Sequence, residues 1–323
     1  MRFAVLGAGA IGAYVGAMLA RSGADVTLIA RGPHLRAMEE HGVQVQSARG
    51  DFESHPVATG EVAAVGEADV VFVGLKAYSL PAMAPAIGPL LAPGAVCVFA
   101  QNGIPWWYFH GHGGPLDGRI VGSVDPGGVV TEAIGADRAI GCVLYCATEI
   151  VAPGVIRHTE GTRFSIGTPS GAPSERCREI SEALRAAGLK SPVERDLRPQ
   201  IWLKLIGNAA FNPITTLTRA TLGELRGSPQ AIALTRQVME ECAAVAGALG
   251  VEIPLSIDRR LDGALAVGDH RTSMLQDFEA GKPLESDCMT GAVAEIADAL
   301  GVPVPSTHVL HGLIKAAEEL RDA

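Results

Sequence analysis

The sequence predicts an α/β fold in two parts, with strands and helices through the first half and helices alone through the second. Three observations carry this. An apolar strand at the N-terminus runs through a glycine-spaced turn into a helix; further buried strand-like runs recur at 26–30, 69–75 and 95–100; and from about Asp196 only helical spacing remains. The 323 residues suffice for two ordinary domains, expected at 1–195 and 196–323.

Arg2-Phe-Ala-Val-Leu6 reads as a short buried strand, Ala10 to Ser22 as a helix stopped by Gly23, and Val26–Ala30 as a second strand. Between the first strand and the helix, Gly7-Ala8-Gly9-Ala10-Ile11-Gly12 fits G-x-G-x-x-G. The first glycine permits a tight turn, the second lets backbone approach a pyrophosphate, and the third lets helix and sheet pack closely. A lone match is weak in a chain with 39 glycines, but its place between strand and helix predicts a Rossmann-type dinucleotide-binding domain. Gly7, Gly9, Ala10, Ile11 and Gly12 are then cofactor contacts, with the helix N-terminus facing the phosphates.

The end of the second strand reports the cofactor. An NAD enzyme tends to place Asp or Glu there, on the ribose 2′-hydroxyl. Here Arg31 follows Ala30, and the nearest acid, Asp25, precedes the strand. A guanidinium can pair bidentately with a 2′-phosphate. Arg31 alone also reads as a solvent-exposed arginine, but the missing acid independently disfavours NAD, so NADPH is the expected cofactor.

Asp69–Leu75 and Ala95–Ala100 read as two more buried strands, followed by Lys76 and by Gln101-Asn102-Gly103. Ligands of open α/β sheets bind beyond the carboxyl ends of strands, so Lys76 and Asn102 fall where nicotinamide and substrate should meet. Either also reads as an ordinary loop residue. Residues 104–135 are rich in Gly, Pro and aromatics, including Pro105-Trp-Trp-Tyr-Phe-His110 and His112, and read as a loop or small subdomain beside the pocket. No convergent Asp, Glu or Cys accompanies the His-x-His pair, so no metal is expected. Strand-like stretches at 139–147, 155–158 and 163–167, a helix at Ser174–Ala187 and a strand near Ser191–Glu194 finish the domain.

Helices are expected at 198–211, 229–250, 255–268, 271–280, 285–300 and 306–321. Pro213 removes an amide, so the first should end or kink near Asn212. Within it Lys204, Asn208 and Asn212 recur every four residues in an otherwise apolar run, lining one helical face. Such a stripe fits either a bound polar ligand with a proton-donating lysine, or a lysine that snorkels to solvent beside two capping asparagines. Ser273 falls early in a later helix, and Glu285 opens the next, where an acid also suits the helix dipole.

Composition narrows the function. Hydrophobic residues at 48% and charged residues at 19% suit a globular chain with a substantial core. Lys and Arg number 26 against 35 Asp and Glu, a net charge of −9, without a basic run and with 5% aromatics; nucleic acid is not an expected partner. The six cysteines have neither Cys-x-x-Cys nor zinc-like spacing, consistent with reduced thiols in the cytoplasm. The uncharged run 3–20 is explained by the glycine motif, so no membrane span is expected.

Together, Gly7-x-Gly9-x-x-Gly12, Arg31, Lys76, Gln101-Asn102-Gly103, Lys204-x-x-x-Asn208-x-x-x-Asn212-Pro213, Ser273-Met-Leu-Gln-Asp277 and Glu285 resemble the ketopantoate reductase family over nearly the whole chain. The resemblance implies a Rossmann domain, an all-helical C-terminal domain and an active site in the cleft between them. It implies that NADPH delivers hydride to the C2 ketone of a small-molecule 2-oxo acid, 2-dehydropantoate foremost. Lys204 would protonate the alkoxide, and Glu285 would orient the substrate or tune Lys204. Asn208, Asn212 and Ser273 would bind the substrate's carboxylate and hydroxyl groups, while Lys76 and Asn102 hold cofactor and substrate in register. Another 2-oxo acid, or a non-catalytic NADPH sensor on the same fold, stays open, as does a homodimer. The chain departs from the pattern in its longer stretch after Gly103, in Trp106-Trp107-Tyr108, and in lacking an asparagine within Thr216–Gly223.

Overall fold

A computed structural model describes residues 1–172 and 174–322. In chain order the elements are β1 (Arg2–Leu6), α1 (Ala10–Arg21), β2 (Asp25–Ile29), α2 (Gly32–His41), β3 (Val43–Ser47), β4 (Phe52–Ser54), β5 (Val57–Thr59), β6 (Ala68–Val73), α3 (Leu80–Ile87), β7 (Leu91–Phe99), α4 (Val129–Ile134), β8 (Ala139–Ala152), β9 (Val155–Gly167) and α5 (Glu175–Ala186). Seven α-helices follow among the described residues: α6 (Arg198–Thr218), α7 (Leu222–Leu225), α8 (Pro229–Ala248), α9 (Ile257–Leu265), α10 (Ser273–Glu279), α11 (Ala292–Leu300) and α12 (Pro305–Asp322). Two compact units form. Met1–Gln101 with Val129–Leu197 makes the first, and Asn102–Gly128 with the chain from Arg198 onward makes the second.

The first unit is built on one sheet in the order β4-β3-β9-β8-β7-β6-β1-β2-β5. β1 pairs in parallel with β2 on one side and β6 on the other, and β7 pairs in parallel with β6. The chain order reverses at β1, the switch point at which open α/β sheets take ligands. Leu6 lies opposite both Ile29 and Val73, and Val73 opposite Phe99, so four carboxyl ends finish level. Val5, Leu28, Val71 and Val98 are wholly buried, as expected for strands covered on both faces.

Several sequence expectations need correction here. The stretches 155–158 and 163–167 are one strand, β9, which returns along β8 from a turn at Pro153-Gly154. The ladder slips near Tyr145–Ala147, opposite Gly161 at φ +73°, and this bulge interrupts the alternation that a sequence pattern relies on. Residues 191–194 form no strand. Among them only Val193 pairs, in an isolated bridge to Ile166 near the Arg163–Lys190 bridge, and Pro192 has no N–H to give a ladder.

The second unit centres on α6, which packs against α8, α10 and α12. α6 does not end at Asn212 but continues through Pro213 to Thr218. The surrounding residues Phe211 to Thr216 are all buried, and that packing outweighs a local cost of about 3 kcal/mol for an interior proline. The hydroxyls of Thr215 and Thr216 also donate back to the carbonyls of Phe211 and Asn212. The helix expected at 285–300 begins as a π turn over Asp287–Gly291 before α11, and α9 is shorter than the expected 255–268. A single boundary after residue 195 does not describe 102–128, which packs with the helices. Arg198 donates to the carbonyls of Tyr108 (2.9 Å) and His110 (3.2 Å), and Trp202 Nε1 donates to the Tyr108 hydroxyl (2.7 Å). No helix among the described residues is long and apolar enough to cross a membrane.

Candidate active site

In the first unit, the turn between β1 and α1 is tight and open on one side. Gly7 sits at φ +88°, and a Cβ on Gly12 would fall 2.3 Å from the Gly7 carbonyl oxygen, so both positions require glycine. A Cβ on Gly9 would meet nothing within 4 Å, leaving the backbone open on the side where a phosphate approaches. Gly7 and Ala8 donate to the Ile29 carbonyl, fixing the turn to β2, while Ala10 and Ile11 open α1 with its positive end exposed. Arg31 is exposed and caps α2 directly after β2. Lys76 is half-buried just beyond the end of β6.

Two residues that sequence reasoning passed over shape this end of the sheet. The Gln101 amide donates to the carbonyls of Val73 and Leu75 (both 3.1 Å), pinning the segment that carries Lys76. The Gly154 N–H donates to His34 Nδ1 (2.9 Å), so the neutral ring carries its proton on Nε2, sealed from solvent beside the Ala8 main chain. Desolvation holds the His34 pKa below the ordinary histidine value, partly opposed by that Ala8 backbone. Gln101 falls within Gln101-Asn102-Gly103, a motif that by itself predicts no role for it. His34 had no sequence signal, because the hairpin turn that fixes it lies 120 residues away.

In the second unit, Lys204 and Asn208 are half-buried on α6, and Asn212 on the same face is 4% exposed. Asn212 Nδ2 donates to Met289 Sδ at 3.6 Å, and the residue lies within a continuous helix rather than at an irregular helix end. Ser273 is exposed at the first position of α10, whose capping Thr272 shares a 2.7 Å hydrogen bond with Thr215 of α6. Glu285 is 6% exposed, and its Oε2 accepts from Asn102 Nδ2 at 3.4 Å. The Asn102 segment is held there by Ile104 N–H to the Cys288 carbonyl (2.8 Å) and by the Cys288 thiol to the Asn102 carbonyl (3.4 Å). Asn102 and Glu285, 183 residues apart, are therefore joined, while Lys204, Asn208 and Asn212 share α6. Trp106, Trp107 and Tyr108, which have no counterpart in the sequence pattern, are buried, with Tyr108 locked onto Arg198 and Trp202 at the start of α6.

A glycine turn at the switch point of a parallel sheet, followed by a helical unit carrying a lysine–carboxamide stripe, defines a dinucleotide-dependent class of α/β oxidoreductase. The family model described as "Ketopantoate reductase PanE/ApbA" matches residues 3–171, and its C-terminal counterpart matches 196–318. A 2-dehydropantoate 2-reductase of Mesorhizobium japonicum is 44% identical over 317 residues, covering 98% of this chain and 97% of the relative. A PanE/ApbA family ketopantoate reductase of Ralstonia eutropha is 30% identical at TM-score 0.86, with 100% of both chains covered. A 2-dehydropantoate 2-reductase of Geobacter metallireducens is 28% identical at TM-score 0.87, covering 98% of this chain and 100% of its own. The chain belongs to the ketopantoate reductase family, a family of NADP-dependent oxidoreductases.

Proposed function

We propose that this chain reduces 2-dehydropantoate to pantoate with NADPH. The observation that carries the reading is the half-buried Lys204–Asn208 pair on α6, in a chain matched over its whole length by a 2-dehydropantoate 2-reductase. NADPH supplies the hydride. Gly7, Gly9, Ala10, Ile11 and Gly12 would hold its pyrophosphate through backbone amides, Arg31 would pair with its 2′-phosphate, and Lys76 and Asn102 would fix the register of cofactor and substrate. Lys204 Nζ would give a proton to the oxygen of the reduced carbonyl, leaving a hydroxyl. Asn208, Asn212 and Ser273 bind the substrate's polar groups, and the Glu285 carboxylate, tied to Asn102, orients the substrate or tunes Lys204.

The test is loss of reduced-nicotinamide absorbance with 2-dehydropantoate and a panel of other 2-oxo acids, using NADPH and NADH in parallel. Turnover fastest with 2-dehydropantoate and NADPH is expected. Faster turnover of another acid moves the substrate, and no turnover of any acid removes the catalytic reading. A cytoplasmic setting suits six cysteines in the reduced state. A homodimer is the assembly to test: α12 leaves Val309 and Leu313 one turn apart and exposed, and light scattering of the purified chain reads the mass.

A further inference from the structure

Between Gln200 and Ala210, α6 is open to solvent along one strip only: Gln200, Leu203, Lys204 and Asn208 are half-exposed, and every other position is buried. A second cation lies on that strip. Arg260 of α9 donates from Nε to the Leu203 carbonyl (3.4 Å), and its guanidinium rests on Gly207. A Cβ at 207 would come within 2.3 Å of Nη2 and 2.8 Å of Cζ, so the glycine is a notch for this guanidinium. Leu203 and Gly207 lie within about 100° of Lys204 around the helix axis, which puts the Arg260 head group beside the Lys204–Asn208 pair.

The geometry points to Arg260 as a substrate-binding residue, the anchor for the carboxylate of the 2-oxo acid; the assignment rests on the reductase reading above. Of the residues of the helical unit assigned to the substrate, Asn208, Asn212 and Ser273 are neutral, and Lys204 gives up its proton during the reaction. A carboxylate beside them needs a cation that keeps its charge throughout, and a guanidinium does so while offering a planar, two-pronged donor edge. Gly207 is otherwise a poor choice inside a long helix; the close approach of Arg260 accounts for it.

The test compares a 2-oxo acid with its uncharged methyl ester in the full chain. Arg260→Gln should raise KM for the acid by about tenfold or more while kcat changes by less than about threefold, with kcat/KM for the ester held. Arg260→Lys should recover part of the loss. Gly207→Ala, which favours the helix but displaces the guanidinium, should reproduce the Arg260→Gln pattern, and the double variant should be no worse than either single. An unchanged KM for the acid in Arg260→Gln overturns the assignment. So does an equal loss for acid and ester, which would make Arg260 a support for α6. A wild-type chain inactive on every 2-oxo acid overturns the reductase reading itself, whereas active wild type with an indifferent Arg260→Gln overturns this assignment alone.

Discussion

Gly103→Ala tests how the Asn102 segment is held. Gly103 sits at φ +85°, where alanine costs about 1–2 kcal/mol. An added Cβ would fall 2.2 Å from the Cys288 carbonyl oxygen and 2.7 Å from its carbon, both backbone atoms of a buried π turn that cannot swing aside. The segment must retreat, stretching the Ile104–Cys288 hydrogen bond, worth about 1 kcal/mol, with overpacking of about 1–3 kcal/mol on top. We expect about 3–6 kcal/mol of destabilisation. Urea unfolding followed by tryptophan fluorescence is a direct assay, because Trp106, Trp107 and Trp202 all lie in the helical unit. Gly113→Ala is the control: φ is +72° there, but a Cβ would meet nothing within 4 Å, so about 1–2 kcal/mol of backbone strain is its whole expected effect. If the two variants lose the same stability, the contact with Cys288 does not hold this segment and the reasoning fails.

Lys204→Ala should lower kcat by about 10²–10⁴ while NADPH affinity, read by fluorescence titration, is unchanged; normal turnover would remove Lys204 as the proton donor. Gly12→Ala should weaken NADPH at least about tenfold, since its Cβ would sit 2.3 Å from the Gly7 carbonyl oxygen in the phosphate turn, and an unaltered Kd would show that the turn does not carry the cofactor. Desolvation depresses the folded-state pKa of His34, so the fold favours the neutral ring. Its contribution to stability is full above the ordinary value of 6.5 and is lost as pH falls from there through the depressed folded value. The Tm gap between wild type and His34→Gln should accordingly narrow from neutral pH to about pH 5.5, and a gap that widens on acidification would contradict the sign.

Much of this was legible in the chain because local pattern and tertiary role coincide. The β1–α1 turn needs glycine at positions set by backbone geometry alone, and it joins a strand apolar from Phe3 to Leu6 to a largely apolar helix, so G-x-G-x-x-G between them is readable without a partner. The stripe at 204, 208 and 212 was equally legible, since helical periodicity aligns it. What was missed depends on distant partners. Short, half-polar β3, β4 and β5 acquire strand geometry only by pairing, β3 with β9 more than a hundred residues on. Local rules end α6 at Pro213, but the packing of Phe211 through Thr216 overrides them. Gln101, His34 and Arg260 carry no motif, and each acquires its place from one long-range contact to main chain.

Those three contacts share a logic that bears on how the reaction is built. In each, a polar side chain is tethered to backbone beside a residue assigned to cofactor or substrate: Gln101 to the strand end before Lys76, His34 between the hairpin turn and the Ala8 main chain, and Arg260 to the Leu203 carbonyl beside Lys204. Hydride transfer tolerates little misplacement, and a long lysine or a flexible glycine turn is intrinsically mobile. A side chain fastened to backbone orders such groups without occupying the space the ligands need. The glycines at 12 and 207 follow from the same constraint, because each lets a polar group approach where a methyl would exclude it. Gly207→Ala therefore separates two kinds of importance. A glycine kept for helix flexibility would be improved by alanine in stability and left unchanged in KM, whereas a glycine kept as a notch should gain helix propensity and lose its grip on the carboxylate.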